Sequence, residues 1–97
     1  MILEVAFVPV LADRKVEFEA AISDAVDTLL SAADGFLGYT SHGWGVERPH
    51  VFMFTVAWQT LEHHTVGFRE SDLFTQWRAV IGPFFDGTPV VEHFAIN

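Results

Sequence analysis

The stretch VFMFTVAW, residues 51–58, constrains the fold more than any other part of the chain. Phe52, Phe54, Val56 and Trp58 alternate with Val51, Met53, Thr55 and Ala57, so an extended strand here has no polar side. Such a strand belongs in the middle of a sheet and is expected to be covered on both faces. The chain has 97 residues, which is one domain spanning 1–97 with a modest core of its own. Yet 51% of its residues are hydrophobic, ten of them Phe and three Trp. A small monomer hides that much apolar surface poorly, so a partner is expected. The simplest partner is a second copy, packed sheet on sheet as an isologous homodimer.

Around this strand the other elements follow from local pattern. Residues 2–10, ILEVAFVPV, are rich in apolar and β-branched side chains and read as a strand. Residues 13–35 carry Phe18, Ile22, Ala25, Val26, Leu29 and Leu30 at helical spacing, with Asp13 placed to cap the start and Gly35 the end. Residues 36–49 form a glycine-interrupted strand, joined to 51–58 by a turn at Glu47, Arg48, Pro49 and His50. Thr60 can cap a helical segment with Glu62 in its first turn. A second helical piece starts at Ser71, carries Leu73, Phe74, Trp77, Val80 and Ile81 on one side, and stops at Gly82-Pro83. Residues 88–96 are the last strand. The order is β-α-β-β-α-β, so the expected class is α+β: a ferredoxin-like split arrangement with a four-stranded antiparallel sheet, doubled into a homodimeric α+β barrel.

Charge removes several function classes. Thirteen acidic against five basic residues give a formal net charge of -8. Nucleic acid and anionic membrane surfaces are therefore not expected partners. No apolar run reaches the length needed to span a bilayer, and the first residues lack the basic start and cleavage site of a signal peptide. The absence of cysteine excludes disulfides, thiolate nucleophiles and thiolate metal sites, and suits a cytoplasmic protein. No glycine-rich strand-to-helix loop is present, so nucleotide and flavin cofactors are not expected.

A strand closing on Trp58, the pair Gln59-Thr60, the run LEHH followed by GFRES, and the step Ser71-Asp72-Leu73-Phe74 into the next helix resemble the antibiotic-biosynthesis-monooxygenase-like (ABM) family of dimeric α+β barrels. The element order extends the likeness over essentially the whole chain. The family includes cofactor-free oxygenases of aromatic polyketides, haem-degrading enzymes and quinol oxygenases. The resemblance thus implies a cofactor-independent monooxygenase acting on an aromatic or polyketide-type small molecule. It also places Trp58 on the wall of a cavity between sheet and helices. Haem-degrading relatives carry a histidine where this chain has Gln76-Trp77-Arg78, so no haem is expected. Other relatives carry a mid-helix histidine near the position of Phe68, whereas here the histidines come earlier, at 63 and 64.

The candidate catalytic residues are His63, His64, Trp58 and His42; the candidate substrate-binding residues are Trp44, Phe68, Trp77 and Arg78. Neighbouring residues on a helix point about 100° apart, so only one of His63 and His64 can face a cavity. The same argument leaves them poor as a metal pair, and neither metal nor other cofactor is expected. His42 and Trp44 share strand parity; Tyr39 has the opposite parity. Arg78 is either a solvated arginine, a salt-bridge partner for Glu92 or Asp86, or an anchor for an acidic or phenolate-bearing ligand. His93 could lie at a dimer seam. An aromatic cavity with a few polar groups also suits a non-catalytic binder of aromatic metabolites, or a barrel filled by its own Phe and Trp side chains with a purely structural role.

Overall fold

The chain runs β1 (Ile2–Pro9), α1 (Lys15–Thr28), β2 (Phe36–Trp44), β3 (Val51–Trp58), a π-helical segment (His63–Phe68), α2 (Asp72–Ile81) and β4 (Val90–Ala95). A computed structural model describes residues 1–97. The strands form one sheet in the order β2-β3-β1-β4, every neighbouring pair antiparallel. This is the expected ferredoxin-like α+β arrangement, with the doubly apolar β3 in an inner position.

All the helices cover one face. That face carries Glu4, Ala6 and Val8 from β1, and Phe52, Phe54, Val56 and Trp58 from β3. Phe18 of α1 meets Trp44 and Phe52 edge-on, so α1 lies over the β2–β3 side. Phe68 and Trp77 pack against Trp58 and Phe54 from the other side. Both arrangements follow from stripes of apolar residues at helical spacing.

The opposite face has no helix. Val51, Thr55 and Ala57 are nevertheless buried within the single chain. Two of the three are small, and the Thr55 hydroxyl is tied to the hydroxyls of Thr40 and Ser41, each at 2.6 Å. Their neighbours Leu3, Val5, Phe7 and Met53 are only half-buried, and Val90 and Phe94 are exposed. An apolar open face therefore remains, centred on β1 and β3.

Five local expectations need correction. The first helix stops at Thr28, and residues 30–32 form a 3-10 turn. Asp13 does not cap it; Arg14 holds the N-cap position without a side-chain bond. Gly35 ends the connection rather than the helix, with φ +79, and a side chain there would collide with the His63 ring. On β2 the pairing shifts register between Phe36 and Gly38 and again between Tyr39 and Ser41. The second irregularity turns Tyr39 onto the same face as His42, on which it stacks at 5.3 Å, so simple alternation fails there. Val80, expected on the apolar stripe of the second helix, is exposed.

Candidate functional site

A charged residue in an apolar strand is the seed of the site. Glu4 shares strand parity with Ala6 and Val8, so it points into the helix-covered core, where it is only 5% exposed. Its Oε1 accepts a bond of 2.9 Å from Nε1 of Trp58. The same oxygen lies 3.4 Å from Nε2 of His64. Nδ1 of His64 lies 2.7 Å from Nε2 of His93, which reaches across from β4. Four side chains thus form a continuous polar line, Trp58–Glu4–His64–His93, beneath the π-helical segment.

Local structure explains why His64 and not His63 enters this line. Thr60 accepts from the backbone N–H of His63 at 3.2 Å, as its expected capping role requires. Its hydroxyl also lies 2.7 Å from His63 Nδ1, which holds that ring outside, beside Gly35. His64 then turns inward and is 3% exposed. Its ring stacks on Trp58 at 5.1 Å with an interplanar angle of 14°, and Phe68 packs against both rings, at 6.2 Å from His64 and 5.7 Å from Trp58. The π-helical turn, marked by Arg69 N–H donating to the His64 carbonyl, places His64 and Phe68 together over the sheet.

Beside this line is a cavity of about 390 Å³, within the usual range for small-molecule sites. Phe54, Phe68, Phe74, Trp77 and Phe85 supply its aromatic walls, and Glu4, His64, Arg69 and Arg78 its ionisable groups. Neither Arg69 nor Arg78 has a carboxylate within salt-bridge distance; the expected alternative pairing of Arg78 with Glu92 or Asp86 is not formed. The Arg78 guanidinium instead lies over the Phe85 ring at 5.3 Å, at the cavity wall.

Burial sets the electrostatics. It pushes the Glu4 carboxyl up from an ordinary 4.5 to about 7, against the opposing pull of the Trp58 hydrogen bond and the Arg69 charge. Burial also pushes His64 down from 6.5 to about 3, assisted by Arg69 and His93. His93 is lowered by burial and then by Arg69. In the fold the proton of the Glu4–His64 pair therefore belongs to the carboxyl, whereas in the unfolded chain it belongs to the imidazole.

This exchange predicts a distinctive stability profile. Between about pH 4.5 and 6.5 the pair holds one proton in both states, so its contribution is level. Below 4.5 the unfolded chain holds two and the fold one, so stability falls as pH falls towards 3, by about 2 kcal/mol at 1.36 kcal/mol per unit. From 6.5 to about 7 only the fold holds a proton, so stability falls again as pH rises. His93 adds a rising slope below its ordinary 6.5. Melting temperatures across this range check the profile. In Glu4→Gln the decline above pH 6.5 should vanish, and an unchanged profile would contradict the assignment.

The structure does not bring all the sequence candidates together. His64, Phe68, Trp77 and Arg78 line the cavity, and Trp58 backs it through Glu4 and His64. His63 lies outside, held by Thr60. His42 stacks between Tyr39 and Phe52 beside a separate hollow that Glu19 and Asp27 also line. Trp44 packs on Phe52, donates from Nε1 to Glu19, and carries Lys15 above its ring. These three are thus displaced from the cavity because β2 is the far edge strand and the π-helical turn rotates only one histidine inward. His93 belongs to the helix-covered face, not to the open face where a dimer seam would lie. Glu4 and Arg69 were missed. Glu4 had a signal: a lone carboxylate at core-facing parity in an otherwise apolar strand. No group of three or more His, Asp or Glu side chains converges in a way that could hold a metal ion. No helix is long and apolar enough to cross a membrane.

Residues 1–80 match the family model described as antibiotic biosynthesis monooxygenase. The uncharacterized protein YczJ of Bacillus subtilis is 34% identical over 96 residues, covering 97% of each chain. A solved Bordetella bronchiseptica structure, assigned by name to the antibiotic biosynthesis monooxygenases, superposes with a TM-score of 0.90 at 31% identity, covering 99% of this chain and 96% of that one. The monooxygenase from the ActVA-Orf6 gene of Streptomyces coelicolor, solved with nanaomycin D, gives a TM-score of 0.79 at 15% identity, covering 99% of this chain and 87% of that one; that likeness is one of fold.

Proposed function

Because the chain belongs to the antibiotic biosynthesis monooxygenase family, we propose that it is a cofactor-independent monooxygenase of an aromatic or polyketide-type small molecule bound in the cavity beside Glu4. The observation that carries this reading is a carboxyl buried on the wall of an aromatic cavity, where loss of water pushes its pKa up to about 7. A general base works best when its pKa lies near the working pH. His64, lowered to about 3, is too weakly basic for that task and serves as a hydrogen-bonding partner.

On this reading the Glu4 carboxylate takes a proton from an acidic CH₂ group of a phenolic, anthrone-like substrate. The carbanion reduces O₂, and a C–O bond forms. The resulting peroxide takes back a proton to become a hydroperoxide. Loss of the second C–H proton with cleavage of the O–O bond releases water and leaves a carbonyl. One oxygen atom enters the product and the other leaves as water, whose two hydrogens come from the substrate. The substrate itself is the reductant. Arg69 and Arg78 supply positive charge for a phenolate oxygen, and the apolar walls exclude water.

The test is oxygen uptake with an anthrone or a hydroquinone, corrected for the uncatalysed rate. Uptake at the uncatalysed rate, with binding of an aromatic probe intact, would make the cavity a receptor for aromatic metabolites instead. The same reading pairs two copies through the open apolar face of Leu3, Val5, Phe7 and Met53. Sedimentation should give twice the chain mass at micromolar concentration, and a persistent monomer would remove the pairing.

A further inference from the structure

Glu4 has little contact with water, yet a base must reach the correct protonation state before each turnover. A polycyclic substrate filling the cavity would close the direct route. A second route starts behind His64. His93 does not line the cavity, and it is only partly buried. Its Nε2 meets His64 Nδ1 at 2.7 Å. Its Nδ1 has no protein partner and is not among the buried polar atoms left without one, so solvent reaches it. The line from Glu4 to His93 therefore runs from the cavity wall to water by a path separate from the cavity itself.

Resting on the oxygenase reading above, we propose that Glu4 exchanges its proton with solvent through His64 and His93, and that His93 is the positioning residue through which that proton leaves and returns. The transfer balances without charging either ring. In one polarity Glu4 is protonated and donates to His64 Nε2, His64 Nδ1–H donates to His93 Nε2, and His93 Nδ1–H faces water. Three protons then shift together: from Glu4 to His64 Nε2, from His64 Nδ1 to His93 Nε2, and from His93 Nδ1 to water. One proton has left Glu4 for solvent, both rings have changed tautomer, and every hydrogen bond now points the other way. The reverse shift restores the start.

Three features suit the line to this task. The shared shift avoids an imidazolium at His64, which burial and the nearby Arg69 charge disfavour. Trp58 stacks on the His64 ring and Phe68 packs against both, so both nitrogens stay aimed at their partners. The 3.4 Å contact from Glu4 to His64 is the longest step, longer than an ordinary hydrogen bond, and catalytic contacts of this kind commonly tighten when substrate binds. Of the other charged groups nearby, Arg69 acts on all three members of the line, and Arg78 faces the cavity.

Two measurements test the proposal independently of one another. With an anthrone as substrate, His93→Gln keeps a hydrogen-bonding group but cannot pass a proton, and it should lower kcat about tenfold or more while KM changes less than about twofold. His93→Ala should lose as much, and imidazole added to the medium should restore most of it. Full activity in His93→Gln overturns the relay. Without substrate, exchange of the His64 ring proton with D₂O, followed by nitrogen-resolved NMR, should slow at least about tenfold in His93→Gln with the fold retained. Unchanged exchange overturns the relay whether or not the protein turns over an anthrone. Slowed exchange in a protein with no turnover leaves the relay standing and removes the oxygenase reading alone.

Discussion

Glu4→Gln is expected to reduce turnover of a phenolic substrate by about 10²- to 10⁴-fold, the usual contribution of a positioned general base. The amide is nearly isosteric with the carboxyl. Its oxygen can still accept from Trp58 Nε1 and face an Nε2–H of His64, so the fold and the cavity should survive. KM should therefore change little, which separates lost chemistry from lost binding. The sign of the pH effect follows from the raised pKa. The base acts only when ionised, so kcat/KM of the parent should rise with pH through about 7. That rise should be absent from any residual activity of the variant. A variant within about threefold of the parent at neutral pH would remove Glu4 from the mechanism.

Trp58→Ala should have the largest effect on stability. Trp58 is fully buried, stacked on His64, edge-on to Phe36 and against Phe68. Removing so large a buried side chain costs about 3–5 kcal/mol. The change also deprives the buried Glu4 carboxyl of its donor, a further penalty of about 1–3 kcal/mol. A small domain holds about 5–15 kcal/mol in total, so the variant should be largely unfolded or melt far below the parent. Urea denaturation of a variant less than about 2 kcal/mol weaker would show that the site collapses to fill the space. Trp58→Phe separates packing from hydrogen bonding. It keeps most of the ring but removes the N–H that lowers the Glu4 pKa. The fold should persist, and the rise of kcat/KM should move to higher pH.

Much of the architecture was legible because it rests on periodicity. The alternation of Phe52, Phe54, Val56 and Trp58 located an inner strand, and the stripe from Phe18 to Val26 located the helix over it. Thr60 and Ser71 behave as the capping positions their types suggest. These features depend on neighbours a few residues apart, which a sequence displays directly. Where the backbone departs from regular geometry, counting failed. The irregularity between Tyr39 and Ser41 reversed the expected face of Tyr39, and no residue type there announces it.

The site was less legible. The sequence alone determined that a tryptophan closes the inner strand, that one of two adjacent histidines could face inward, and that the chain has few positive charges to spend. It did not determine that His64 is that histidine. The choice follows from the hold of Thr60 on His63 and from a π-helical turn. Nor did it join Glu4, His64 and His93, which are separated in sequence and meet only because β4 pairs with β1 while the helical segment crosses above them. A carboxyl acquires a pKa near neutrality through the surroundings that take water away from it, and those surroundings exist only in the folded chain.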